Sequence, residues 1–176
     1  MPEATPSSFP WFAIRVKFRH EKAVSTALRM KGYTEFLPLY RERRSSHPRR
    51  DVDLPLFPTY VFCQFDPLNR LPILVTPGVF SIVGTARGPL AVDQEELSAI
   101  RLTVASGLRT EPWPFLNVGE HVYVERGPLH GTRGILRRLK NKDRLVISVS
   151  LLQQSVAVEI NRDWVRWAPQ KQARLG

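Results

Sequence analysis

Residues 54–66 read Leu54-Pro-Leu-Phe-Pro-Thr-Tyr-Val-Phe-Cys-Gln-Phe-Asp66, a stretch rich in aromatic and β-branched residues. Such residues favour extended structure, so we predict a β-strand over Phe57–Phe65. The two-residue period of a strand places Tyr60 and Phe62 on one face and Phe57 on the other. Large apolar residues on both faces are typical of a central strand in a covered sheet or of a partly exposed docking surface. Composition alone favours the covered strand.

The segments around this strand predict further strands and helices. Apolar periodicity and a capping-box pattern at Asp93 and Glu96 locate them. The predicted strands are Trp11–Lys17, Phe36–Arg43 and Val79–Val83, and the predicted helices are His20–Met30, residues 66–75 and the segment after Asp93. The order strand, helix, strand, strand, helix, strand, helix predicts an α+β fold, in which helices pack on an antiparallel sheet.

The C-terminal part of the chain has a different pattern. Apolar and polar residues alternate in runs at 121–125, 145–150 and 155–161, and turn residues separate the runs. Period-two runs at this spacing predict a small β-barrel.

A linker is predicted between the two parts. Pro112 and Pro114 bias their neighbours toward extended conformations, as in short stiff linkers. We therefore expect a first domain at 9–107, a linker at 108–117 and a second domain at 118–168.

The chain carries a large excess of positive charge. Its 176 residues include 26 Lys and Arg against 16 Asp and Glu, which gives a formal net charge of +10. Chains of this kind commonly bind nucleic acid, or an acidic machine that handles it. No apolar run is long enough to cross a bilayer and the N-terminus has no secretory signal pattern, so we expect a cytoplasmic protein that does not contact a membrane.

Residues that could carry a catalytic reaction are scattered. The four histidines are far apart in the sequence and none lies beside Cys63, so the spacing of metal ligands is missing and the thiol has no adjacent base. The glycines of residues 127–134 lie between predicted strands rather than before a helix, which argues against a phosphate-binding loop. We therefore predict that the protein is not an enzyme and uses no cofactor or metal.

Arginine is concentrated between residues 41 and 50, where five arginines occur with one glutamate. A strand end and a polar loop cannot bury that charge, so it projects into solvent. It is either a solvated hairpin tip that aids solubility or a finger whose guanidinium groups bind phosphates. The overall charge favours the second alternative, and the predicted nucleic-acid contacts there are Arg43, Arg44, Arg49 and Arg50.

Several motifs, in order along the chain, resemble those of the NusG family of transcription elongation factors. The motifs are Trp11-Phe-Ala-Ile14, Phe57-Pro-Thr-Tyr-Val61, residues 76–84, Val118-Gly-Glu-His-Val-Tyr-Val124, residues 127–134 and residues 144–150. Together they extend over nearly the whole chain. The resemblance implies a ferredoxin-like N-terminal domain, called NGN, and a C-terminal SH3-like barrel, called KOW. The segment Leu56–Pro67 is more similar to the specialised RfaH-like paralogs than to the housekeeping factor.

The resemblance also implies a binding function. In this family the N-terminal domain binds the clamp helices of RNA polymerase through an apolar pocket, and Phe57, Tyr60 and Phe62 match the positions that line it. A protein that bridges the clamp opposes its opening and suppresses pausing or termination. We therefore expect an elongation or antitermination factor, present as a monomer. The basic residues that match the region facing upstream or non-template DNA are Lys17, Arg19 and His20.

Two stretches depart from the family pattern. Leu71-Pro-Ile-Leu74 occupies the place of the His/Thr-rich tip with which the specialised paralog reads single-stranded DNA. Leu151-Leu-Gln-Gln154 replaces a phenylalanine through which the housekeeping factor contacts termination factor Rho or a ribosomal protein, and both stay candidate partners of the barrel. The alternative function is a ribosome-associated KOW-type RNA-binding protein, because such barrels also occur in basic proteins of the ribosome.

Overall fold

The computed structural model of the protein describes residues 9–44 and 50–168. The chain divides between Gln94 and Glu95 into two compact units. The first unit combines helices with an antiparallel sheet and the second consists mainly of strands, which confirms the predicted α+β class with a C-terminal β domain. None of the helices in the described ranges has the length and apolar surface that crossing a bilayer requires.

The first unit is built on a four-stranded antiparallel sheet. Its elements in chain order are β1 (Trp11–Val16), α1 (Glu21–Met30), β2 (Thr34–Phe36), β3 (Leu39–Arg44), β4 (Arg50–Pro55), β5 (Tyr60–Gln64), α2 (Leu71–Leu74), β6 (Val79–Ile82), β7 (Gly84–Thr85) and β8 (Gly88–Pro89). The order in the main sheet is β2-β5-β1-β6, so β5 and β1 are central. Strands β3 and β4 form a separate hairpin, as do β7 and β8.

Helix α1 packs on one face of this sheet. Its buried residues Val24 and Leu28 are four apart, as the 3.6-residue period requires, and they share a core cluster with Val61 and Cys63 of β5. The helix ends before Gly32, whose φ of 87° is the left-handed conformation expected after a C-cap. The predicted helix at His20–Met30 is therefore confirmed, with its first helical residue at Glu21.

Two predicted elements have different limits in the structure, and one strand was not predicted. The strand predicted at Phe36–Arg43 is divided into β2 and β3, because Pro38 lies between them and cannot donate a ladder hydrogen bond. The helix predicted at residues 66–75 is reduced to α2. Strand β4 was not predicted, since its charged residues at 50, 51 and 53 lack the apolar alternation of a covered strand.

The second unit is an antiparallel six-stranded sheet preceded by a helix. Its elements are α3 (Gln94–Ala105), β9 (Thr110–Trp113), β10 (Glu120–Val124), β11 (Arg133–Leu139), β12 (Lys142–Val149), β13 (Gln154–Glu159) and β14 (Val165–Trp167), with sheet order β14-β10-β11-β12-β13-β9. In β10 the buried Val122 and Val124 alternate with partly exposed residues, in agreement with the period-two pattern. In β12 and β13 residues on both faces are buried, among them Val146 and Ala157.

The stretch predicted as a linker contains a strand. Thr110–Trp113 pairs antiparallel with β13, with Glu111 opposite Ala157. Trp113 at the end of the strand and Leu116 beyond it pack on a cluster of buried residues in the sheet. Two backbone contacts fix Leu116, since its N–H donates to Ser155 Oγ at 3.1 Å and its carbonyl accepts from Ser148 Oγ at 2.9 Å. We call residues 110–116 the strap, and the apolar residues under it are Ile135, Val146 and Ala157.

The strap also brings a carboxylate to a buried cation. Arg144 of β12 has only 7% of its side chain exposed, and its guanidinium lies 3.5 Å from Glu111 and 3.8 Å from Glu159. A cation this deeply buried needs nearby negative charge, which the strap partly supplies. The strap therefore contributes both apolar contacts and charge to the second unit.

Candidate functional site

Aromatic side chains gather on the face of the main sheet opposite α1. Residues directly opposite each other on antiparallel strands share a face, and Phe62 lies opposite both Ala13 of β1 and Phe36 of β2. The rings of Phe36 and Phe62 stack with centroids 6.2 Å apart, and Phe57 meets Phe62 edge to face at 5.7 Å. We call Phe36, Phe57 and Phe62 the ring cluster.

The ring cluster corrects the predicted orientation of Phe57. The sequence placed Phe57 on the opposite face from Phe62, on the assumption that one strand covers residues 57–65. In the structure β5 begins at Tyr60, and Thr59 has a φ of 69°, which interrupts the alternation. The turn therefore brings Phe57 to the same side as Phe62.

The three rings predicted to line a pocket differ in exposure. Phe57 has 1% and Phe62 has 0% of its surface exposed, whereas Tyr60 is partly exposed at the beginning of β5. Only Tyr60 offers surface to a partner in this conformation. Phe57 and Phe62 are buried and contact each other edge to face.

Glu21 fixes the turn that precedes Tyr60. Its carboxylate is buried and accepts a 2.8 Å hydrogen bond from the backbone N–H of Thr59. The amide of Tyr60 donates to the carbonyl of Phe57 at 3.1 Å, which closes the turn. Glu21 is thus a residue that positions the aromatic turn. Sequence analysis gave no signal for it, because a glutamate in the first turn of a helix is common for electrostatic reasons.

The basic residues Lys17, Arg19 and His20 form the exposed loop between β1 and α1. Arg19 has a φ of 64°, and a ring nitrogen of His20 lies 3.0 Å from the carbonyl oxygen of Phe18. The amide of Lys17 donates to the carbonyl of Gly78 at 2.8 Å, so the loop is joined to the segment that leads into β6. The structure therefore brings these three predicted residues together at one end of the sheet.

The arginine-rich segment is the hairpin of β3 and β4. Arg43 faces Asp51 across the hairpin with a long ion pair of 3.8 Å, which partly neutralises it. Arg44 lies opposite Arg50 in the register of the hairpin. Arg49 lies outside the described residues.

A cleft of about 390 Å³ lies between α1 and the segment from β2 to β3. Glu35 at its side is only 7% exposed and accepts hydrogen bonds from Ser25 and from Arg29, the latter with an Nε–Oε1 distance of 2.8 Å. The carboxylate is therefore satisfied by its own neighbours. Across residues 9–44 and 50–168, no three His, Cys, Asp or Glu side chains are grouped so as to hold a metal ion.

Two residues beside the basic loop were missed by sequence analysis. Phe18 and Phe80 are each 68% exposed and each lies under an arginine guanidinium. A signal was present in the alternation of aromatic and basic residues in Lys17-Phe-Arg19. The relation to Phe80 depends on strand pairing, which the sequence does not display.

Cys63 provides a test of the core of the first unit. The thiol is fully buried, and burial, with a smaller contribution from the charge of Glu35, raises the pKa of Cys63 to about 12. We expect no reaction with iodoacetamide at pH 8 in the folded chain and complete reaction in urea, followed by mass spectrometry.

The same shift predicts a pH dependence of stability. Above pH 9 the thiol ionises in the unfolded chain but stays protonated in the folded one, so the free energy of unfolding falls as the pH rises from 9 toward 12. Cys63→Ala should remove this component. Rapid alkylation of the folded chain, or an unchanged pH profile in Cys63→Ala, would contradict the buried thiol.

Comparison with known proteins identifies one family. The family model described as transcription termination factor NusG matches residues 9–101. The transcription termination/antitermination protein NusG of Rickettsia felis is 28% identical over 119 residues, which are 65% of this chain and 62% of that protein. NusG of Rickettsia bellii is 27% identical over 113 residues, 62% of this chain and 59% of that protein. The chain thus spans about six tenths of the length of these curated relatives.

A solved structure of NusG from Thermotoga maritima has the same fold. It matches 89% of this chain and 95% of its own with a TM-score of 0.57 and a sequence identity of 16%. At that identity the likeness concerns the fold alone. The family match is to sequence as well as fold, and its residues 9–101 include the whole main sheet and the ring cluster. Since this match covers more than half of the 176 residues, the chain belongs to the NusG family.

Proposed function

We propose that this protein is a transcription elongation or antitermination factor that binds the clamp helices of RNA polymerase through the first unit. The observation that carries the proposal is the family match over residues 9–101. The same residues include the partly exposed Tyr60 and the buried pair Phe57 and Phe62. Aromatic side chains supported by buried neighbours are typical of interface hot spots, because little conformational freedom is lost on binding.

The proposed action is a shift of population rather than a chemical step. The family resemblance implies that an opened clamp favours pausing, and a protein that binds the closed arrangement better stabilises it by its difference in affinity. A difference of about 1.4 kcal/mol shifts the equilibrium tenfold. Modest binding energy in the first unit therefore suffices for an effect on elongation.

The proposed nucleic-acid contacts lie in two segments of the first unit. Lys17, Arg19 and His20 lie at the end of the sheet where Tyr60 begins β5, because the C-terminal end of β1 meets the start of β5 in an antiparallel pair. The hairpin supplies Arg43, Arg44 and Arg50. These cations suit upstream or non-template DNA, whose phosphates a guanidinium binds with two hydrogen bonds.

A binding experiment with purified RNA polymerase tests the proposal. Tyr60→Ala is expected to weaken binding about 10- to 30-fold, since loss of an aromatic hot spot costs about 2 kcal/mol. Phe57→Ala should weaken it as well, because the buried Phe57 ring anchors the turn in which the Phe57 carbonyl accepts from the Tyr60 amide. Met30→Ala is the control, because Met30 is 83% exposed at the far end of α1.

Single-round transcription with and without the protein measures its effect on pausing. We expect shorter pause lifetimes with the wild-type chain and a smaller change with Tyr60→Ala at equal concentration. Unchanged polymerase binding in both Tyr60→Ala and Phe57→Ala would refute the aromatic site. Salt-sensitive binding to ribosomal RNA without polymerase binding would favour the ribosomal alternative.

A further inference from the structure

The strap lies in a groove on one face of the sheet of the second unit. Residues that face each other across β11, β12 and β13 share this face, and so do residues two positions along each strand. The groove is apolar at its centre, where Trp113 and Leu116 of the strap pack, and polar at both ends. We call the strap groove the set Ile135, Arg144, Val146, Ser148, Ser155 and Ala157.

The groove binds the strap in the manner of an added β-strand. Strand β9 pairs with the edge of β13, and three side chains of the strap meet the groove: Glu111, Trp113 and Leu116. In strand addition the main-chain pairing accepts any extended segment, while the sites for side chains select its sequence. The strap therefore shows which sequence the groove selects: an acid, an aromatic residue two positions later and an apolar residue three positions after that.

The strap matches the charge of the groove incompletely. The side chain of Arg144 is 7% exposed, yet its Nε and Nη1 have no hydrogen-bond partner among the described residues. Glu111 approaches the guanidinium to 3.5 Å, and Glu159, at 3.8 Å, is already bound at 2.7 Å by Lys142. A carboxylate that accepts two parallel hydrogen bonds from the guanidinium would satisfy this buried cation better. The strap is therefore a suboptimal ligand for the charged group of the groove.

The outer edge of the strap is closed to further strands. The amide of Glu159 donates to the carbonyl of Arg109 at 2.9 Å, and hydrogen-bonded pairs alternate along an antiparallel ladder. The nitrogen of Pro112 therefore points away from β13, and proline has no N–H to offer there. A partner strand gains the edge of β13 only by replacing the strap. Replacement is feasible because β9 is a short edge strand, and edge elements with few contacts open locally.

We propose that the strap groove is a docking site for an extended segment of a partner protein, and that the strap closes it as a built-in competitor. The segment carries the same order of acid, aromatic and apolar residues, and its carboxylate binds Arg144 with two hydrogen bonds. It competes with a strap tethered at an effective concentration of about 1 mM, so weakly matched strands are excluded. The site belongs to the second unit and does not depend on polymerase binding by the first.

A fluorescent peptide with the sequence of residues 109–116 tests the groove in the full chain, with anisotropy as the readout. Trp113→Ala removes a strap side chain and leaves the groove intact, so this chain should bind the peptide roughly 10- to 100-fold more tightly than the wild type does. Glu111→Gln loosens only the contact to Arg144 and should give a smaller gain. Trp167→Ala is the matched control, because Trp167 is 71% exposed on β14 at the other edge of the sheet.

Paired substitutions separate a selective site from an open strand edge. In the Trp113→Ala chain, a peptide carrying Glu111→Gln should bind about tenfold more weakly than the parent peptide, since a charge-assisted pair is lost. Adding Arg144→Gln to that chain should abolish the difference, because the groove then has no cation that distinguishes an acid from an amide. An edge that captures strands without selection would bind both peptides equally in either chain.

Three results would overturn the proposal. The first is equal peptide affinity in the wild type and both strap variants while circular dichroism shows native β structure. The second is equal affinity of the parent and Glu111→Gln peptides for the Trp113→Ala chain. The third is a wild-type dimer in light scattering that the peptide dissociates, because the strap of a second copy then occupies the groove. If Trp113→Ala does not fold, the Glu111→Gln chain alone decides, and it must bind the parent peptide more tightly than the wild type does.

Discussion

Phe62→Ala is expected to lower the free energy of unfolding of the first unit by about 3–5 kcal/mol. The side chain has no exposed surface, and its removal takes away the ring contacts to Phe36 and Phe57 on the covered face of the sheet. The vacated volume lies over the two central strands of the sheet, whose paired backbone cannot collapse to fill it. Urea denaturation measures the loss, and hydrogen exchange of the β1 and β5 amides assigns the transition to this unit.

Met30→Ala serves again as the matched control and should change stability by less than about 0.5 kcal/mol, as exposed substitutions do. A decrease smaller than about 1 kcal/mol in Phe62→Ala would mean that the ring is not buried in solution. The expected instability also bears on function: reduced polymerase binding by Phe62→Ala follows from unfolding, so Tyr60→Ala is the variant that tests the surface.

Glu21→Ala is expected to cost about 2–3 kcal/mol of stability. The carboxylate accepts the Thr59 amide in a charge-assisted hydrogen bond, a class of bond that contributes about 1.5–3 kcal/mol. It also lies in the first turn of α1, where negative charge is favoured by the helix dipole. Without it the left-handed Thr59, with its φ of 69°, is no longer held by a side-chain acceptor.

Hydrogen exchange gives the local readout for Glu21→Ala. The Thr59 and Tyr60 amides should exchange faster than in the wild type, before the amides of β1 are affected. Glu21→Gln keeps an acceptor oxygen without the charge and should lose roughly half as much stability. Thr26→Ala, on the exposed side of the same helix, is the control. Equal protection of Thr59 in Glu21→Ala and the wild type would refute the positioning role.

Much of the fold follows from apolar periodicity. Val61 and Cys63 alternate with Tyr60 and Phe62, and the structure confirms that these pairs lie on opposite faces of β5. The alternation ends where local geometry departs from a regular strand. Thr59 is left-handed, and no pattern in the sequence indicates it, because glycine or asparagine is the usual residue at such positions.

Strands without apolar alternation were hard to predict. β4 is a hairpin arm whose charges pair across to β3, and β9 contains Pro112 within an edge strand, where a missing N–H is tolerated. Both elements depend on a partner strand that is distant in the sequence or itself irregular. Local propensity argues against each of them, and tertiary pairing prevails.

The sequence predicts the exposure of the basic residues in the candidate site better than the exposure of its aromatic rings. Arg19 and Lys17 are exposed because a loop next to a strand end cannot bury them, and the sequence shows this directly. Whether a ring is covered depends on what packs over the second face of a sheet. Periodicity assigns Phe62 to a face, but it does not tell whether that face is open.

The strap limits where the chain can be truncated to obtain the second unit alone. A fragment that starts at residue 118 lacks β9, and the outer edge of β13 is left with open amides and carbonyls that recruit other chains. It also uncovers Ile135, Val146 and Ala157 and deprives Arg144 of one carboxylate. Such a fragment would bind other proteins nonspecifically through its open strand edge and uncovered apolar residues. The proteins bound in this way would not identify the natural partners of the barrel. Dissection should therefore leave residues 110–116 attached to the strands that follow.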